Sequence, residues 1–253
     1  MLNPVNYPPA MLVLSLSIFW TASLVGIWLR KNVNNLDGEY RDDFKFVLGG
    51  ALTLLGLIIG FTFQMAVSRY DHRKNLEAEE TNAIGTEYDR VDLLPAADAA
   101  KVHELLKRYV DQRIFTYNSQ DEQRLRELRA ETKRLQSEMW SAVSAAGAAH
   151  PTPVTALVVA GMNNVLDLQG YVHAARLNRI PIAAWTLLIT MSLFCNLLLG
   201  YGALERRGFL SLILPVALSI SFFLIADIDT TRRGVIRVHP QNLESLARSL
   251  HSR

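Results

Sequence analysis

Residues 44–67 read FKFVLGGALTLLGLIIGFTFQMAV, and after Lys45 no ionisable side chain occurs until Arg69. A bilayer core is roughly 30 Å thick, and about 20 apolar helical residues cross it. In lipid only helices and closed barrels satisfy the backbone. The run lacks the alternation of a barrel strand. It therefore predicts a transmembrane helix.

Three further blocks repeat the pattern, at residues 9–29, 180–201 and 208–226. Of the whole chain 50% is apolar and 20% charged, averages that a soluble protein also reaches, so distribution decides. Nearly all charge lies outside the four blocks. The expected fold is an all-α membrane protein with four transmembrane helices. A helical extramembrane domain at 68–179 separates the second and third, and a tail follows at 227–253. Residues 1–10 hold no Lys or Arg, so the first block is expected to be a mature helix and not a secretory signal. Trp20 and Trp28 are candidates for interfacial positions. A short polar loop is expected at 32–43, and a tight turn at Glu205, Arg206 and Arg207 should make the last two spans a hairpin.

The domain reads as helix almost throughout. No break occurs between Ser68 and Leu94, so the second span should run on out of the membrane until Pro95. Val102, Leu105, Leu106, Tyr109, Val110 and Ile114 follow the helical period. Residues 116–121 break the pattern, and Ser119 with Glu122 predicts a capping box. Leu125, Leu128, Thr132, Leu135, Met139 and Ala142 then form a coiled-coil-like seam. The seam is short, so packing inside its own domain is favoured over an intermolecular coil. Thr152 should cap a helix with Pro153 at its first position. The apolar stretch 154–162 is too short to span and is assigned to a core or interface. Pro181 marks the entry to the third span.

Net charge is +2, with no polybasic face for nucleic acid. Cys195 is the single cysteine and cannot form an intrachain disulfide. The histidines make no H-E-x-x-H or Cys/His cluster, and no P-loop, nucleophile elbow or Rossmann fingerprint occurs. No enzyme activity, cofactor or metal is expected. Arg69, Arg73, Lys74, Arg176, Arg179, Arg232, Arg233 and Arg237 flank the domain side of the membrane. Arg30, Lys31, Arg41, Lys45, Arg206 and Arg207 flank the other. The excess favours a cytoplasmic domain on a protein of the inner (plasma) membrane.

No Asp, Glu, Lys, Arg or His lies deep in any span, which argues against proton-coupled transport and voltage sensing. A passive channel with a hydrophobic constriction needs no such charge. Gly49, Gly56 and Gly60 share one face of the second span, a small-residue pattern that lets another helix approach closely, within one subunit or between two.

Residues 60–73, GFTFQMAVSRYDHR, carry a resemblance. Gly60-Phe61, the amide Gln64 and the exit Ser68-Arg69-Tyr70 resemble the second, pore-lining helix of bestrophins. The run Glu80-Thr81-Asn82-Ala83-Ile84-Gly85-Thr86 before Leu93-Leu94-Pro95 is similar to the bacterial bestrophin-like domain family. So is Asp227-Ile228-Asp229 followed by Arg233-Gly234-Val235-Ile236-Arg237-Val238. The resemblance covers most of the chain. It implies a homo-oligomer, a pentamer by analogy, around a pore for small inorganic ions in the lipid bilayer. It implies a neck at Thr53, Leu57 and Phe61, four residues apart; Thr53 is polar where the family is usually apolar. The same side chains also fit a lipid-facing or helix-packing role. Arg69 and Arg73, one turn apart, would form a vestibule that concentrates anions such as chloride, or else make ordinary surface ion pairs with Asp71 or Glu77. Asp227 and Asp229 are too few for a calcium site of six to eight oxygens, and Asp229 is expected to cap or to pair with Arg232 or Arg233. The expected function is passive anion conduction; the alternative is a non-conducting scaffold or sensor whose helical domain binds a partner.

Overall fold

The computed structural model describes residues 7–32, 38–202 and 210–252. The expected turn at Glu205–Arg207, residues 33–37 of the polar loop and the beginning of the fourth block lie outside them; the rest of that loop, from Gly38, is already helix. Among the described residues eight α-helices follow in order: α1 (Pro8–Asn32), α2 (Gly38–Arg90), α3 (Ala96–Asn118), α4 (Glu122–Ala149), α5 (Pro153–Leu177), α6 (Ile182–Gly202), α7 (Leu210–Asp229) and α8 (Gln241–His251), with a 3-10 turn at Val91–Leu93 after α2. No strand occurs among the described residues. Four stretches among the described residues are long and apolar enough to cross a membrane, and the chain is an all-helical membrane protein. Contacts divide it into two units, Met1–Arg69 with Arg179–Arg237, and Tyr70–Asn178 with Val238–Arg253.

In the first unit α1 packs along α6 and α7. Two glycines set the α1–α6 contact. A Cβ on Gly26 would collide with the Leu197 carbonyl oxygen, and one on Gly200 with the Ser23 carbonyl oxygen. Lipid gives helices little hydrophobic reason to associate, so close backbone approach and dispersion contacts carry the packing. Phe19 meets Phe222 edge-on at 5.1 Å between ring centroids, and Trp185 meets the same ring at 6.0 Å. Trp185 is thus a buried packing residue, whereas Trp20 and Trp28 are exposed.

The second unit is soluble-type helical packing. Val102, Leu106, Tyr109 and Val110 of α3 close on Leu135, Met139 and Val143 of α4, on Val158, Met162 and Val165 of α5, and on Leu243 and Leu250 of α8. Burying each leucine-sized side chain contributes about 1.5–3 kcal/mol. The seam of α4 is spent here: Leu125, Leu128, Thr132, Leu135, Met139 and Ala142 are all buried within the one chain. That excludes them from a coil with another molecule. Met162 and Val158 lie in the same core, while Val154 and Leu157, a turn earlier on α5, are exposed.

Caps follow sequence with one correction. Thr152 does make a capping box with Thr155, with proline just inside the helix. The start of α4 is capped by Asp121, whose carboxylate accepts the Gln123 and Arg124 amides at 3.1 and 3.3 Å, and not by Ser119. Ser119 closes α3, donating its amide to the Phe115 carbonyl. A carboxylate also offers charge to the helix N-terminus, which a hydroxyl does not.

Candidate functional site on the second helix

Within the membrane unit α2 has a covered and an uncovered side. Leu55, Thr62 and Ala66 are buried, at spacings of seven and four that keep them on one stripe. Thr53, Leu57, Gly60, Phe61, Gln64 and Ser68 are exposed, with Leu57 at 53% and Phe61 at 66%. At about 100° per residue they lie opposite the buried stripe. Leu57 and Phe61 are one turn apart on this side and form an apolar step. Thr53, one turn earlier, donates its hydroxyl to the Gly49 carbonyl at 2.9 Å. Its polarity is thereby satisfied within the helix.

Gly49, Gly56 and Gly60 have no atom within 4 Å of where a Cβ would stand. No described part of the chain uses them for close approach. Gly26 and Gly200, which spacing rules have no reason to single out, are the glycines on which α1 and α6 meet. Arg69 is half-buried, and Arg73, which belongs to the other unit, is 7% exposed. The two guanidiniums therefore do not stand together in solvent. Asp71 and Glu79 on the same helix are exposed.

At the end of α7, Asp227 holds the segment that follows it. Its two carboxylate oxygens accept the amides of Val235 and Ile236 at 2.8 and 2.7 Å, and Gly234 fits against its backbone where a Cβ would clash. Asp229 accepts the Ile180 amide at 3.1 Å and so ties the end of α7 to the entry of α6. Arg233 lies over the Tyr7 ring, 4.6 Å from its centroid. Among the described residues no group of His, Cys, Asp and Glu is arranged to hold a metal.

The helical unit contains a polar core that the sequence pattern does not reveal. Arg113 of α3 donates to both oxygens of Glu80 on α2, at 2.6 and 3.2 Å, in full burial. Tyr117 donates to the same carboxylate at 3.4 Å, and Arg176 of α5 stacks on the Tyr117 ring at 4.0 Å. Burial and the Glu80 charge push the Tyr117 phenol up to about 12, and burial lowers the Arg176 pKa. One turn before Glu80, Glu77 accepts the Leu243 amide and the Asn242 side chain at 3.1 and 2.6 Å. A carboxylate of α2 thus caps α8, whose own preceding residue, Pro240, makes no side-chain cap. The available signal is positional: Glu77, Glu80 and Glu87 fall on the buried phase of α2 with Ile84. A run of charged residues hides that phase from a hydropathy reading.

Comparison with known proteins supplies the family. A search of curated proteins finds no match. A family model described as the bestrophin-like domain matches residues 17–243. Solved structures with the same fold include bestrophin homologues from Klebsiella pneumoniae. One, phased on zinc, is 16% identical with a TM-score of 0.66, covering 96% of each chain. A point variant is 15% identical with a TM-score of 0.69, covering 97% of each chain. Another is 16% identical with a TM-score of 0.67, covering 99% of this chain and 98% of the other. At such identity the structures speak for the fold, and the family model spans most of the sequence; the chain belongs to the bestrophin-like domain family.

Proposed function

We propose that the protein is an oligomeric channel in the inner (plasma) membrane for passive conduction of small inorganic ions, with the uncovered side of α2 facing the pore and the helical domain in the cytoplasm. One observation carries this reading. Only 11% of the apolar window of α2 is buried by its own chain, against 50% for the last span. A membrane helix with one covered side and a continuous uncovered side carrying Leu57 and Phe61 fits a helix whose other partners are copies of itself or a lumen. Rings of these two side chains would repel water when narrow and gate by dewetting. The tied-back hydroxyl of Thr53 makes it compatible with such a ring. Gly49, Gly56 and Gly60, open in the single chain, would serve subunit packing.

The anion preference expected from Arg69 and Arg73 rests on Arg69, because Arg73 is buried in its own chain. The exposed carboxylates Asp71 and Glu79 oppose it. The test is ion flux through purified protein in liposomes under separate chloride and sodium gradients, wild type against Phe61→Ala. Flux that the substitution changes severalfold supports the reading, and the gradients assign the ion. Absence of flux in folded wild type and variant removes it.

A second reading, a non-conducting scaffold or sensor, is favoured by the apolar surface of the helical unit. Phe115, Tyr171 and Leu177 are all more than 60% exposed. It takes the lead if the liposomes stay tight.

A further inference from the structure

Glu87 sits on α2 inside the helical unit and is completely buried. α5 crosses it at Gly161: a Cβ there would collide with Glu87 Oε2. Glycine at 161 is what makes room for the carboxyl group. Neither oxygen of Glu87 has a hydrogen-bond partner among the described residues. The other buried carboxylates of this helix are satisfied, Glu77 by α8 and Glu80 by Arg113.

The charges around Glu87 do not offset its isolation. Arg90, on α2 itself, brings Nη1 to 2.8 Å from the same Gly161 position but makes no hydrogen bond to Glu87. The turns of α5 at 158–165 hold no ionisable side chain. In the 3-10 turn Asp92 faces His103 of α3 at 3.5 Å. Lys107 of α3 lies over the Tyr88 ring. Glu244 and Arg248 of α8 are exposed, and none of the buried residues of α4 is ionisable. Burial therefore dominates and pushes the Glu87 pKa up to about 8, with Arg90 opposing it.

We propose that Glu87 is a proton-operated latch of the helical domain: protonated, it packs neutral beneath α5 at Gly161, and on losing its proton it must leave that contact or admit water, loosening α5 from α2. An ionised carboxylate without a partner is strongly disfavoured in an apolar core, whereas the neutral acid is tolerated. The folded pKa lies above the ordinary value of 4.5. The stability supported by the neutral form is therefore complete below that value, falls as pH rises and is lost through about 8. Between the two values the linkage changes the unfolding equilibrium by about tenfold per pH unit.

The test uses the full chain in detergent and needs no conduction, so it stands apart from the channel reading. Unfolding of wild type and Glu87→Gln is followed from mildly acidic to mildly alkaline pH, spanning the interval from 4.5 to about 8. The amide copies the neutral acid. The expected result is that Glu87→Gln folds, is the more stable protein at pH about 8, and loses the tenfold-per-unit slope. Parallel slopes in the two proteins overturn the latch, as does a Glu87→Gln protein that fails to fold, since the isostere of the resident form must fit. Infrared spectroscopy gives a second readout. Wild type at neutral pH should show a protonated carboxylic acid band that is absent from Glu87→Gln; a wild-type protein without that band overturns the proposal.

Discussion

At the scale of single residues, the polar core of the helical unit is defined by what would be left behind on substitution. Arg113 and Glu80 are both buried and bonded through two contacts. Removing the guanidinium leaves an uncompensated carboxylate beside Tyr117. Arg113→Met should therefore destabilise the protein by about 3–5 kcal/mol, measured by chemical unfolding. The pair is invisible to periodicity, because Arg113 and Glu80 each sit in a charged stretch and are brought together only by packing across 33 positions. Asp227 makes the opposite case. Its two oxygens already accept two amides. Chelating calcium should leave stability and any flux unchanged, whereas Asp227→Ala should cost about 1.5–3 kcal/mol per lost charged hydrogen bond, read from thermal unfolding.

At the scale of elements, helix contacts follow two different rules. Between α1 and α6 the determinant is room, at Gly26 and Gly200. Gly200→Val would force the backbones apart. It should abolish a folded membrane unit, seen as loss of a monodisperse peak in detergent, while Gly56→Ala leaves the single chain intact because no other described element stands within 4 Å of the added methyl group. If Gly56→Ala alters subunit number, the open glycines serve assembly. In the helical unit the determinant is polar satisfaction: α8 is held by Glu77 as well as by Leu243 and Leu250. Glu77→Ala should cost about 1.5–3 kcal/mol and raise hydrogen exchange selectively at the first amides of α8. The cap at Asp121 follows the same rule on a smaller scale. The sequence pattern points to Ser119, and the helix instead takes Asp121, whose carboxylate reaches two amides.

At the scale of the whole molecule, four apolar stretches and a long helical insert are legible in the amino-acid sequence. A membrane imposes a length and a charge rule on each span that a hydropathy pattern records directly. The seam of α4, the Thr152 cap and the run of α2 beyond its apolar block are legible for the same reason: each is a local periodicity or cap. The residues proposed for the neck are named from resemblance; their exposure on α2 is a property of the fold. If they line a lumen, Leu57→Ala and Phe61→Ala should each raise ion flux in liposomes while leaving the unfolding curve of the helical domain unmoved.

Sequence by itself determined that this chain spans a membrane by four helices, carries a large helical domain between the second and third, and bears the motifs of the bestrophin-like domain family. These follow from near-neighbour spacing along one chain, which a single sequence displays. Only tertiary structure decided which charged residues are buried, that Glu77 and Glu80 find hydrogen-bond partners while Glu87 finds none among the described residues, and which glycines touch another helix. The reason is physical: burial and pairing depend on what another element brings to the same point, and elements distant in sequence choose that point only when they pack.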